Sequence, residues 1–183
     1  MLTVNAVKKS TGAIISLEDT SAQITIVVPA DHELSELTIE GNNSAIDINE
    51  VSIKKVNTKT HDGWVSFNEF TGGTITAKDE LGSLRLDEAN VDNLIVTGEN
   101  SNFHLEDSLI SKEGKVILNG GNLSLHEMEN SGYTIQTSGE SYIEKDYQPI
   151  TNTLLEQGQK KLKITAKDTS INITTDQEDN ETD

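Results

Sequence analysis

Apolar residues recur along this chain in pairs separated by one mostly polar residue, and the pairs themselves recur every 19 to 21 residues. One column runs Leu37, Val56, Ile75, Ile95, Val116 and Ile135, and a second lies two residues on at Ile39, Thr58, Ala77, Thr97, Leu118 and Thr137. Seven to nine residues after the first column a further pair begins: Ile46/Ile48, Val65/Phe67, Leu84/Leu86, Phe103/Leu105 and Leu123/Leu125, continued less cleanly by Tyr142 or Ile143. A third corner follows at Val51, Phe70, Ala89, Leu109 and Met128. Spacing of two puts both members of a pair on one side of a strand. Between the pairs stand links such as Gly41-Asn42-Asn43-Ser44, His61-Asp62-Gly63 and Asn119-Gly120-Gly121-Asn122, whose residues tolerate the positive φ that turning a corner needs.

A repeat this short cannot bury its apolar face alone and does so by stacking on the next copy. The pattern therefore predicts an all-β, single-domain parallel β-solenoid over residues 1–173, with six clear rungs at about 4.8 Å per layer. An antiparallel sandwich also gives short strands with regular turns, but has no reason to keep three apolar columns in phase. Modified rungs are expected at Ile15/Leu17 with Ile24/Ile26 and at Leu162/Ile164 with Ile171/Ile173, with Pro29 breaking register before Leu37. Residues 146–161 read as an insertion that caps the last rung with Leu154 and Leu155, or as a binding loop that includes Tyr147. Residues 174–183 read as an acidic disordered tail.

The run Ile24-Thr25-Ile26-Val27-Val28-Pro29, then Leu37-Thr38-Ile39, then copies such as Thr74-Ile75-Thr76-Ala77 and Gly82-Ser83-Leu84-Arg85-Leu86 resemble an adhesin family of bacterial β-solenoid domains, over residues 11–173. The resemblance implies a cell-surface or cell-envelope domain, with relatives near envelope-stress signalling, and it transfers no catalytic residue. This chain departs from the family in its missing export segment and its long insertion after Ile143.

Composition narrows the partners. With 14 Lys plus Arg against 31 Asp plus Glu, the net charge is −17, which opposes nucleic acid and anionic lipid and leaves cationic partners open. Without cysteine there is no disulfide framework, thiolate chemistry or cysteine-ligated zinc. Neither a signal core nor an apolar stretch near 20 residues is seen, so the chain either stays inside the cell or has been trimmed of export and anchoring segments.

Candidate chemistry is sparse. Outward positions between the paired apolar residues read Asp47, Ser66, Arg85, His104 and Ser124, a ladder with a single carboxylate where glycoside hydrolysis needs two. His126 lacks a second His four residues on, since Asn130 stands there, and His32, His61, His104 and His126 fall in different rungs, so no zinc site is expected. Acidic turns at Asp62, Asp79-Glu80, Asp87-Glu88, Asp92, Glu99 and Glu106-Asp107 lack a calcium-repeat pattern and read as solvated charges. Trp64 is expected to point outward or into a corner. The expectation is a non-catalytic surface module without cofactor that binds a protein or glycan through Trp64, Arg85, His104, Tyr147, Leu154 or Leu155. The alternatives are an envelope-stress module that meets cationic peptides or a membrane protein, and a carbohydrate-active enzyme.

Overall fold

The structure, a computed structural model, describes residues 3–6, 12–17, 34–126, 128, 131–151 and 153–175. Ile24, Ile26, Pro29, His32, Asn130 and residues 176–183 lie outside the described residues. The chain opens with β1 (Thr3–Ala6) antiparallel to β2 (Gly12–Leu17). Coils then climb in chain order through β3 (Glu36–Asn42) with β4 (Ala45–Asn49), β5 (Ser52–His61) with β6 (Trp64–Asn68), and β7 (Thr71–Glu80) with β8 (Ser83–Asp87). The next two coils are continuous strands, β9 (Asn90–Glu106) and β10 (Leu109–His126). β11 (Tyr133–Ser138), β12 (Tyr142–Lys145), β13 (Gln148–Ile150), β14 (Leu154–Gln157), β15 (Leu162–Lys167) and β16 (Ser170–Thr174) follow.

The result is a parallel β-solenoid with two long faces and a short third side. On the first face β3, β5, β7, the first part of β9 and that of β10 pair in parallel. On the second, β4, β6, β8 and the latter parts of β9 and β10 do the same. Alternation drives the inner residues together: Ile46, Val65, Leu84, Phe103 and Leu123 form one buried column, and Ile48, Phe67, Leu86, Leu105 and Leu125 the next. Burying each such side chain contributes about 1.5–3 kcal/mol. Phe67 and Phe70 meet edge to face at 5.3 Å between centroids, and Phe70 fills the space beside Gly72, where a Cβ would stand 2.5 Å from its ring.

The structure corrects the sequence reading at several points. In the first face, Leu94 and Val96 point inward, while Ile95 is 44 % exposed and Thr97 also faces out. Leu94 stacks on Ile75, and Gly114, not Val116, stacks on Leu94. The run Leu94-Ile95-Val96 has no alternation to reveal its inner face, and a bulge between Ile110 and Glu113 shifts the next coil. In the third corner Ser108, not Leu109, stands above Ala89 and accepts its N–H. The third side also carries a buried set, Ile53, Val91 and Ile110, that the traced columns did not contain.

The last correction concerns order. The final strands do not form the terminal rung. β15 lies between β10 and β11, and β16 lies between β10 and β12. β13 and β14 pair antiparallel on the far edges of β12 and β11. Thr174 ends β16, and Thr175 donates from N–H to Asp146 Oδ1 at 2.8 Å, so the ordered body runs past residue 173.

Candidate functional site

The outward ladder of the second face is in register: Asp47, Ser66, Arg85, His104 and Ser124 stand side by side, continued by Asn172 and Glu144. Two residues further along each strand runs a second outward column, Asn49, Asn68, Asp87, Glu106 and His126. The two columns meet at Glu106. Arg85 Nη2 donates to Glu106 Oε2 at 2.8 Å and to Asp87 Oδ2 at 2.9 Å. His104 Nε2 lies 2.9 Å from the same Glu106 oxygen, and His126 Nδ1 lies 3.8 Å from its other oxygen. Histidines from different rungs thus converge on one carboxylate, which their sequence separation does not suggest.

The hydrogen bond from His104, helped by the charge of Arg85, holds the Glu106 carboxyl below its ordinary value, against the opposing effect of burial. A carboxylate with a depressed folded pKa stabilises the fold above its unfolded pKa and loses that contribution as pH falls through the folded value. Glu106→Gln is therefore expected to lose about 1 kcal/mol at pH 7. The difference from the parent, measured by urea unfolding, should shrink as the pH is lowered through and below the ordinary carboxylate range.

One ligand atom each of Glu106, Asp107 and His126 lies within 4.8 Å of the others, a donor set of the type that holds divalent cations. The Arg85 guanidinium on the same Glu106 carboxylate already supplies positive charge there, so the geometry is that of an internal ion-pair network.

A different column is more unusual. At the corner after the second face, Glu50 (φ 50°), Glu69 (φ 47°), Glu88 (φ 48°) and Asp107 (φ 44°) all adopt the left-handed conformation. Each donates its N–H to a carbonyl of the following coil: Asn68, Asp87, Glu106 and His126 respectively. The equivalent corner between the faces uses Asn43, Asp62, Leu81, Asn100 and Gly120, mostly the small polar residues or glycine that tolerate this geometry. The three glutamates, Glu50, Glu69 and Glu88, have no such local compensation, whereas Asp107 is of the tolerant type. All four are exposed, and among the described residues none makes an ion pair. Stacked one layer apart, neighbouring charges repel by up to roughly 1 kcal/mol at low salt.

This acidic stripe thus opposes the fold twice, through backbone strain and through like charge. Glu69→Asn relieves both and is expected to raise stability by about 0.5–1 kcal/mol, read as a higher urea midpoint. The stripe was legible as a repeat, because each member directly precedes a corner residue: Val51, Phe70, Ala89 and Ser108. Tracing only apolar positions passes over it. On the first face Lys59, Lys78, Lys115 and Lys163 point outward, interspersed with carboxylates such as Glu40 beside Lys59 and Glu113, which pairs with Lys163.

The remaining candidates do not form one site. Arg85 and His104 share Glu106, whereas Trp64 stands half-exposed in a neighbouring outer column between Ala45 and Ser83. Tyr147, 79 % exposed, occupies with Asp146 the two-residue turn between β12 and β13, both at positive φ. Leu155 packs against the core from β14, and Leu154 beside it faces solvent. Asp79 is not a solvated charge. It points inward, 4 % exposed, where Thr60 Oγ1 donates to Oδ1 at 2.6 Å and Oδ2 has no hydrogen-bond partner among the described residues.

No helix of the described residues is long and apolar enough to cross a membrane. Comparison with protein-family models, with curated proteins and with solved structures finds no match to this chain.

Proposed function

We propose that this protein is a non-catalytic binding module of the bacterial cell surface or envelope, of the adhesin type, and that its partner docks along the stripe of Glu50, Glu69, Glu88 and Asp107. The observation that carries the reading is the stripe itself. Glycine or asparagine would fold with less strain at the three glutamate corners and with less repulsion at all four, and residues held at a local disadvantage on a rigid scaffold point to use by a ligand. Carboxylates repeated at one-layer intervals along a straight edge match a protein segment with regularly placed lysines and arginines.

The ladder chemistry supports the same conclusion. Arg85 pairs with both Asp87 and Glu106, and His104 is hydrogen-bonded to Glu106, so these groups engage one another rather than standing apart as an acid and a base across a sugar linkage. The resemblance to bacterial β-solenoid adhesins adds the location. A basic protein on a cell surface makes the module an adhesin; a cationic peptide as the partner makes it a sensing module in envelope stress. In the variant with Glu50, Glu69 and Glu88 changed to Gln and Asp107 to Asn, binding to a lysine-rich peptide is expected to weaken at least about ten-fold at low salt while the fold is retained. Unchanged affinity in that variant removes the stripe from the interface.

A further inference from the structure

The coils ending at β10 and beginning at β11 form a jaw. On the third side they touch directly: Ser131 Oγ accepts the N–H of Ile110 at 2.9 Å, as Ser108 Oγ accepts that of Ala89 one coil below. On both long faces they are held one strand apart, and β15 and β16 fill the gap.

The connection across the jaw has the length of a one-layer step. From the second face to the first, Asn49 to Val56, Asn68 to Ile75 and Asp87 to Leu94 each advance seven positions and climb one layer. His126 to Tyr133 also advances seven, yet Tyr133 stands two layers above Gly114 because Leu162 lies between them. The gap is shaped for its strand. Gly114 occupies a column position that is Val56, Ile75 and Leu94 below, and a Cβ there would stand 2.6 Å from Leu162 Cδ1. At the other end the Asp146 carboxylate accepts both the N–H and the hydroxyl of Thr175.

The strand reaches the gap through a tight turn. Between β14 and β15, Gly158 (φ 62°) and Lys160 (φ 57°) are both left-handed, and the turn wraps the end of β11 so closely that a Cβ on Gly132 would meet Gln159 N at 2.3 Å. Short strained hinges favour exchange of the segment they carry. The ladder contacts of β15 and β16 are with β10, β11 and β12, and none requires that they belong to the same chain.

We propose that the jaw is a strand-acceptor site and that its partner is a second copy of this chain: residues 162–175 of each copy fill the jaw of the other, the turn at 158–161 opening as the hinge. This inference rests on the topology and is independent of the acidic stripe.

The chain has no cysteine, so thiol reporters are clean. Ile117 and Thr165 are outward register partners on β10 and β15. Full-length Ile117→Cys and Thr165→Cys variants, mixed, refolded together over a range of concentrations and treated with a short bis-maleimide, report exchange through a 117–165 link between chains, identified by mass spectrometry. The expected result is a linked heterodimer that rises with concentration to at least about ten-fold above a mixture of Thr76→Cys with Thr165→Cys, positions kept apart by β9 and β10. The proposal is overturned if the link stays at the control level at every concentration while the Ile117→Cys/Thr165→Cys double variant links within one chain. Failure of the double variant to form a 117–165 link of either kind, within one chain or between two, overturns it as well, because the insertion of β15 beside β10 is then wrong.

Discussion

Ile164→Ala and Ile171→Ala are each expected to destabilise the protein by about 3–4 kcal/mol, as much as a substitution in the middle of the solenoid. Both side chains lie in strands near the end of the chain, where fraying is the ordinary expectation. Their position in space decides otherwise. Ile164 pairs in register with Val116 below and Ile135 above, and Ile171 with Leu123 and Ile143, so each alanine leaves a cavity walled on both sides. Urea unfolding measures the loss, and hydrogen exchange adds a second check: the amides of 162–167 should be protected as strongly as those of 114–119. Losses under about 1 kcal/mol at both positions would place these strands at an open end.

Thr60→Val is expected to cost about 2–3 kcal/mol, more than a hydroxyl-to-methyl change of equal shape normally does. Thr60 supplies the hydrogen bond to buried Asp79, and its removal leaves both carboxylate oxygens without a donor among the described residues. The penalty belongs to the stranded acid. Adding Asp79→Ala to Thr60→Val should therefore recover at least about 1 kcal/mol relative to Thr60→Val alone. If the double variant is instead less stable by the sum of the two single losses, Asp79 is not energetically coupled to Thr60.

The same residues show what the sequence discloses. The pairs from Ile46/Ile48 to Leu123/Leu125 alternate cleanly and lie inside as read, because one wet and one dry face impose a period of two. Leu94-Ile95-Val96 fails as a guide because hydrophobicity alone does not orient three consecutive aliphatic side chains; the register of neighbouring coils does. The place of β15 and β16 was hidden for a different reason. Their apolar pairs fit any layer of the stack, and only the pairing of β11 with β15 reveals which layer they occupy. Asp79 reads as a turn residue because it sits at a strand end, and its inward direction follows from the alternation begun at Ile75 and Ala77.

The candidate site was partly legible. Arg85 and His104 stand on the ladder where alternation puts them, but Glu106, which joins them, lies two residues further along and reads as part of an acidic turn. The stripe carries a 19-residue repeat of its own, and its significance depends on the left-handed backbone at each member, which charge patterning does not show.

Whether the stripe is the docking surface is decided by equilibrium binding of the labelled full-length protein to basic surface proteins, cationic peptides and neutral wall glycans, at low and at physiological salt, beside the stripe-neutralised variant. Saturable binding to a basic protein or peptide is expected, weakening as salt rises and falling at least about ten-fold on neutralising the stripe. Salt-independent binding to a neutral glycan, unaffected by the stripe or accompanied by turnover of that glycan, would contradict this reading.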